Sequence, residues 1–308
     1  MKYQRWLPNL LAAWFMMAAV NVHAADKPLK VVTTLSTFAD LVKTIGGDHV
    51  DVSAIASPKF NAHFIEPKPS DVVKVQRADL FLHAGLDLEL WRGPLLDAAG
   101  NTRLFAGQPG ELDLSQGIPL LEVPTGAVSR SQGDIHIYGN PHYWVDPENA
   151  IIMAKAIAAK LSALDPDHAA AYDERMRAWT RQLSQRIEVW RQAARAIRGH
   201  ELVAYHNEWP YLLNFLGLHA EQFLEPKPGI PPTPKQVQFL ERYMKERHIR
   251  GIIQSTYFPK DAAGTLAKRT GATVVLLCQS VGEVPHASDY IAMTDYNIQQ
   301  LTHALGGT

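Results

Sequence analysis

The stretch from residue 165 to residue 199 limits what this chain can fold into more than any other. Tyr172, Met176, Trp179, Leu183, Ile187, Trp190, Ala194 and Ile197 recur at three- and four-residue spacing, so one continuous helix carries an apolar stripe along its length. Asp165 reads as the N-cap, Pro166 as the first helical residue, where a missing N–H costs nothing, and Gly199 as the stop. A helix over 165–199 spans roughly 45 to 50 Å at 1.5 Å per residue. Few globular helices are that long, and such a rod suits bracing two bodies better than covering one sheet.

The flanks have the composition of two such bodies. With 308 residues the chain can bury two ordinary cores. Residues 25–164 read as an N-terminal lobe, 165–199 as the connecting helix and 200–308 as a C-terminal lobe. Before the helix, apolar strands are expected at 30–35, 50–55, 80–84 and 102–105, separated by helices at 38–45, 71–78 and 88–99, with a further helix at 147–161 opened by Asp146-Pro147. After it, strands at 202–205, 219–224, 251–254 and 273–277 alternate with helices at 209–216, 236–247, 259–270 and 290–305. The fold class is therefore α/β: two lobes, each a parallel sheet flanked by helices, joined by one long backbone helix. Residues 123–139, rich in Gly, Ser, Pro and Thr, are the segment expected to move most.

The N-terminus has a separate reading. Lys2 and Arg5 precede the apolar run LLAAWFMMAAV, which is too short to span a bilayer comfortably, and Val22-His23-Ala24 offers small residues for a signal peptidase. Residues 1–24 read as a signal peptide. The one cysteine, Cys278, follows the apolar run Val274-Val275-Leu276-Leu277 and reads as a buried strand thiol. A single cysteine excludes an intramolecular disulfide or a thiolate metal cluster, and none lies near residue 25 to carry a lipid. The mature protein is expected to be periplasmic, exported by a cleaved signal peptide and not lipid-anchored. A formal net charge of −1 and the absence of a basic run argue against nucleic acid or an anionic membrane surface as partner.

Of the thirteen histidines, ten lie where a surface or structural role suffices or, for His136, in the Gly/Ser-rich segment. Three share a different setting. His63 falls in the loop after the second strand, His142 where order resumes after the Gly/Ser-rich segment, and His206 at the end of a strand. Strand C-termini of open parallel sheets are where ligands bind, so all three can face one crevice. Three neutral imidazoles with one position left for oxygen suit Zn²⁺, although no compact motif such as HExxH is present.

Several segments resemble one family. Asn61-Ala62-His63-Phe64-Ile65-Glu66-Pro67-Lys68-Pro69-Ser70-Asp71, Asn140-Pro141-His142-Tyr143-Trp144-Val145-Asp146-Pro147 and Tyr205-His206-Asn207-Glu208-Trp209-Pro210-Tyr211 are similar to the three histidine motifs of the metal-binding (zinc or manganese) solute-binding proteins of ABC importers, the ZnuA-like and TroA-like group. The segment from Glu225-Pro226-Lys227-Pro228-Gly229 and the closing stretch from Asp289-Tyr290 to Asn297 match it too. The resemblance implies a monomer that captures Zn²⁺ between its lobes, with His63, His142 and His206 as ligands, and delivers it to an inner-membrane ABC permease. Zn²⁺, or another divalent metal ion such as manganese, would be transported cargo, and no enzymatic cofactor is implied.

Two departures from the family pattern bear on the fourth ligand. Where many relatives carry an aspartate, this chain has Gln279, a weaker ligand, so water, Glu66 or His136 could fill the position. The long histidine-rich insert of many zinc-binding relatives is reduced here to His136. Glu66 and Glu208 are candidates for carboxylates that orient an imidazole. The alternative from another class, a three-histidine zinc hydrolase with Glu66 or Glu208 as general base, lacks an acid at a recognised catalytic spacing from a ligand. Because an imidazole must be neutral to bind metal, affinity is expected to fall below about pH 6.5.

Overall fold

The computed structural model describes residues 27–126, 136–225, 227 and 229–306. The expected signal peptide, the central residues 127–135 of the Gly/Ser-rich segment, and Pro226 and Pro228 lie outside them. The first lobe runs β1 (Leu29–Thr33), α1 (Ser36–Gly46), β2 (Val50–Ala54), α2 (Pro69–Gln76), β3 (Leu80–His83), α3 (Arg92–Ala99) and β4 (Glu111–Asp113), followed by α4 (Pro147–Leu164). After α5 (Ala169–Ala194) the second lobe runs β5 (Glu201–Ala204), α6 (Pro210–Leu216), β6 (His219–Phe223), α7 (Pro234–Glu246), β7 (Gly251–Ser255), α8 (Lys260–Thr270), β8 (Thr273–Leu277) and α9 (Tyr290–Leu305).

The two sheets are wholly parallel and repeat one strand order, β2-β1-β3-β4 and β6-β5-β7-β8. Their central strands are apolar on consecutive residues because helices cover both faces. Val31, Val32, Leu80, Phe81, Leu82, Ile252 and Ile253 are all buried.

The connecting helix is shorter than its sequence suggests. Pro166–His168 forms a single 3₁₀ turn and the α-helix proper begins at Ala169, a rod of roughly 39 Å. The cause is Asp165, whose carboxylate accepts from the His168 ring at 2.8 Å and from the Tyr172 hydroxyl at 2.5 Å instead of capping backbone N–H groups. Asp146 does cap α4, accepting the Glu148 N–H at 2.8 Å. Two other expectations shift. Residues 102–105 do not form a strand; Thr102–Leu104 is a 3₁₀ turn held by the Asn101 amide on the carbonyls of Gln76 and Ala78, and the edge strand is β4. The helix expected from residue 88 starts only at Arg92, because Gly85, Leu86 and Asp87 all adopt left-handed φ values of 53° to 69°.

Helix α5 packs on α1 and α4 of the first lobe and on α9 of the second. Trp179 meets Tyr290 edge-on at 5.8 Å, the Trp190 indole donates to Asp295 at 2.6 Å, and Arg191 pairs with Glu148 at 2.7 Å. The turn after β8 also docks on the first lobe: the Trp144 indole donates to the Gln279 carbonyl at 2.8 Å and the Ser36 hydroxyl to the Val281 carbonyl at 2.8 Å. One buried cluster therefore continues from Phe38 and Leu41 through Trp179 and Leu183 to Leu301. The lobes share a core as well as a helix.

Candidate metal centre

Two of the three histidines are set by a short local device. Asn61 Oδ1 accepts the His63 N–H at 3.0 Å, and Asn140 Oδ1 accepts the His142 N–H at 3.0 Å. In both Asn-X-His segments the asparagine folds the chain into an Asx turn that throws the imidazole forward. The Trp91 indole holds the first turn by donating to the Ala62 carbonyl at 2.9 Å. His206 needs no turn of its own, because it follows the last residues of β5.

These devices converge. The Nε2 atoms of His63 and His142 lie 3.1 Å apart, and one ring nitrogen from each of His63, His142 and His206 falls within 4.8 Å of the other two. A tetrahedral ion with metal–nitrogen distances of about 2.05 Å spaces its ligands about 3.3 Å apart, so one ion fits this group. Two of these imidazoles belong to the first lobe and one to the second, so the group lies where the lobes meet.

The protonation states suit the same role. Asn140 Oδ1 lies 2.9 Å from His142 Nδ1, and Glu225 Oε2 lies 2.8 Å from His206 Nδ1. Both acceptors place the ring proton on Nδ1 and leave Nε2 with its lone pair, the arrangement in which a histidine ligates. His142 and His206 are buried, and burial, reinforced by the neighbouring imidazoles, holds the pKa values of His63 and His142 well below the usual value. Both rings stay neutral at a lower pH than the reference value suggests.

Around this group the expected auxiliary residues divide. His136 is half-buried, with its ring centroid 5.0 Å from that of His63 and 5.9 Å from that of His142, so it joins the cluster. Gln279 is buried, but its amide donates to the Glu208 carbonyl at 3.3 Å and accepts from the Tyr257 hydroxyl at 3.4 Å within the second lobe. Glu66 is solvent-exposed and stands outside the group of converging ligand atoms. Glu208, expected as an orienting carboxylate, instead accepts from Ser255 at 2.6 Å and Tyr257 at 2.8 Å, and burial pushes its pKa up to about 7.

The carboxylate that does hold one of the three imidazoles is Glu225, which the motif contained but spacing could not assign. The register that pairs Ala204 with Phe223 carries His206 and Glu225 off neighbouring strand ends side by side. A parallel pairing of the two strands was the only signal that could have found it.

Two lobes of one topology, sharing a core and holding a nitrogen-rich cluster where they meet, define a solute-binding protein whose cargo is a metal ion. The chain belongs to the ZnuA family, described as "Zinc-uptake complex component A periplasmic", whose model matches residues 31–304. Among its relatives are the manganese ABC transporter substrate-binding lipoprotein PsaA of Streptococcus mitis, 25% identical over 92% of this chain and 91% of that protein, and the iron-binding protein YfeA of Yersinia pestis, 27% identical over 94% and 90%. A zinc-bound ZnuA deletion mutant shares the fold with a TM-score of 0.76 at 22% identity, covering 92% of this chain and all of that one. The protein is thus a metal-binding substrate-binding component of an ABC importer, with a membrane permease as its partner, and the family is a transport component rather than an enzyme.

One expectation is overturned by these relatives. PsaA is named a lipoprotein, and so are FimA, ScbA and AdcA among the further matches, which conflicts with a protein that is not lipid-anchored. The expectation rested on the lack of a cysteine near residue 25, an argument from an absent residue, and it does not stand. Cys278 itself is buried, as read from its strand, and its N–H donates to Asn297. No helix among the described residues is long and apolar enough to cross a membrane.

Proposed function

We propose that the cargo is Zn²⁺, bound by the Nε2 atoms of His63, His142 and His206 and passed from the cleft to the permease. The observation that carries this reading is the all-nitrogen donor set: the converging group contains three imidazoles and no carboxylate. Imidazole suits zinc, whereas Mn²⁺ favours harder oxygen ligands. His136 is proposed as the fourth donor, supported by its ring lying against those of His63 and His142. Relatives named for manganese and iron supply the rival reading, a site for another divalent metal.

Competitive titration with Zn²⁺ and Mn²⁺ separates the two. One tightly held Zn²⁺ per chain, at an affinity orders of magnitude above that for Mn²⁺, supports zinc transport. Equal affinity for the two ions sinks it. Titration of His136→Ala tests the fourth donor, whose loss should weaken zinc by less than the loss of His63, His142 or His206.

A further inference from the structure

Glu122 lies outside every histidine motif, yet it connects two of the proposed ligands. Its backbone has a φ of 54°, a conformation that L side chains rarely adopt. Its Oε2 accepts from the Asn140 amide at 2.9 Å and from the Asn207 amide at 2.7 Å. Asn140 is the residue that fixes the His142 ring, and Asn207 is the immediate neighbour of His206. The same Asn140 amide also donates to the Asn207 carbonyl at 2.9 Å.

The backbone around this carboxylate is tied to the second lobe. The Asn140 N–H donates to the Leu121 carbonyl at 3.0 Å, an approach that Gly139 allows with a φ of 117°. The Tyr211 hydroxyl, on α6, accepts from the Leu121 N–H at 3.0 Å and donates to the Asn140 carbonyl at 2.8 Å. A first-lobe segment with a strained residue at its tip is thus bonded both to the support of one ligand and to the segment bearing another. Strained backbone persists where the surrounding structure over-determines it, commonly at functional sites.

We propose that Glu122 is a positioning residue, a clasp between the lobes that sets the spacing of His142 and His206 and so governs how long the metal stays bound. The inference rests on the ligand assignment made above. Breaking the clasp leaves all three imidazoles in place but frees Asn140 and Asn207 to shift, so the cost appears in release rate. Partners that orient metal-ligating histidines are worth roughly 10- to 100-fold in affinity when they contact the ligand, and a residue one bond further out should give about tenfold.

The test is the rate of Zn²⁺ transfer to a chelator, followed by stopped flow, for the wild-type chain and for Glu122→Ala, Glu122→Gln and Glu122→Gly, with metal-free thermal stability measured in parallel. Glu122→Ala is expected to release zinc about tenfold faster, and Glu122→Gln, which keeps an acceptor, to stay within about threefold of wild type. Glu122→Gly is the discriminating variant. Glycine adopts the left-handed backbone freely, so it should release zinc as fast as the alanine variant with no loss of metal-free stability. Wild-type release from both the alanine and glycine variants, or faster release only in proportion to lost stability, overturns the clasp. His142→Ala and His206→Ala serve as controls: if both hold zinc as the wild type does, the ligand assignment falls and takes the clasp with it.

Discussion

Both lobes end a central strand near a histidine, and only one of those histidines reaches the metal group. His83 closes β3 in the first lobe, while His206 follows β5 in the second. His83 is locked through Nε2, 2.6 Å from Glu111 and 3.0 Å from Arg92, whereas His206 is held through Nδ1 by Glu225. The lobes also share a device at the point where each strand order reverses, the usual ligand crevice of such sheets. Glu89 plugs it in the first lobe, accepting from Thr34 at 2.6 Å and the Ala84 N–H at 2.8 Å, and Glu208 plugs it in the second against Ser255 and Tyr257. With both crevices filled by buried carboxylates, the site for cargo moves to the line between the lobes.

The comparison breaks most directly at its two histidines. His206→Ala is expected to weaken zinc binding more than about a hundredfold, beyond the loss typical of an outer partner, by competitive titration. His83→Ala should leave that affinity within about threefold but cost about 2 kcal/mol in urea unfolding, because Glu111 and Arg92 lose their buried partner. Zinc loss in His83→Ala would mean the first lobe carries part of the site.

A smaller effect tests how His206 is held. Glu225→Ala should weaken zinc roughly 10- to 100-fold while metal-free stability changes little, since the carboxylate acts by fixing the ring. An unchanged affinity would show that the strand end alone aims the ring.

The plugs are compared through pH. Glu208 holds its proton more tightly in the folded chain, at about 7, than in the unfolded chain near 4.5. The folded state therefore binds more protons between those values, and metal-free stability should rise as pH falls from about 7 toward 4.5. Glu208→Gln should flatten that slope and add about 1 to 3 kcal/mol above pH 7, by chemical denaturation at several pH values. Glu89, also shifted upward by burial, should behave in the same sense. A slope unchanged in both variants would mean neither plug carries the shift.

The smallest expected effect concerns the sequence reading of pH. Because His63 and His142 titrate well below the usual value, protons compete with metal only under more acid conditions. Zinc affinity should change less than about threefold between pH 7 and 6, where unshifted imidazoles would already show loss. A steep fall across that interval would place the rings in a wetter environment.

Much of this was legible beforehand because the signals are local. The helical period of 165–199, the Asp-Pro start of α4 and the apolar strands arise from interactions between residues one to four apart, and all but the 102–105 strand appear in the fold. That exception, like the late start of α5, came from side chains choosing other partners, Asn101 with the end of α2 and Asp165 with Tyr172, whereas α3 starts late because of the left-handed backbone at Gly85, Leu86 and Asp87. Cys278 was legible from the apolar run before it, and the grouping of His63, His142 and His206 from their places at strand ends and loops.

By itself, then, the sequence determined two parallel α/β lobes, their bracing helix and the three histidines that could meet. Tertiary structure alone decided that Glu225 holds the His206 ring, that Glu208 and Gln279 face the second lobe's own hydroxyls and carbonyls, that Glu66 stays in solvent and that Glu122 accepts from both Asn140 and Asn207. The reason is physical. A periodic pattern records which face of an element is buried, but these side-chain partners are set by strand register and by how two lobes pack, over separations such as 19 and 85 residues that leave no local trace.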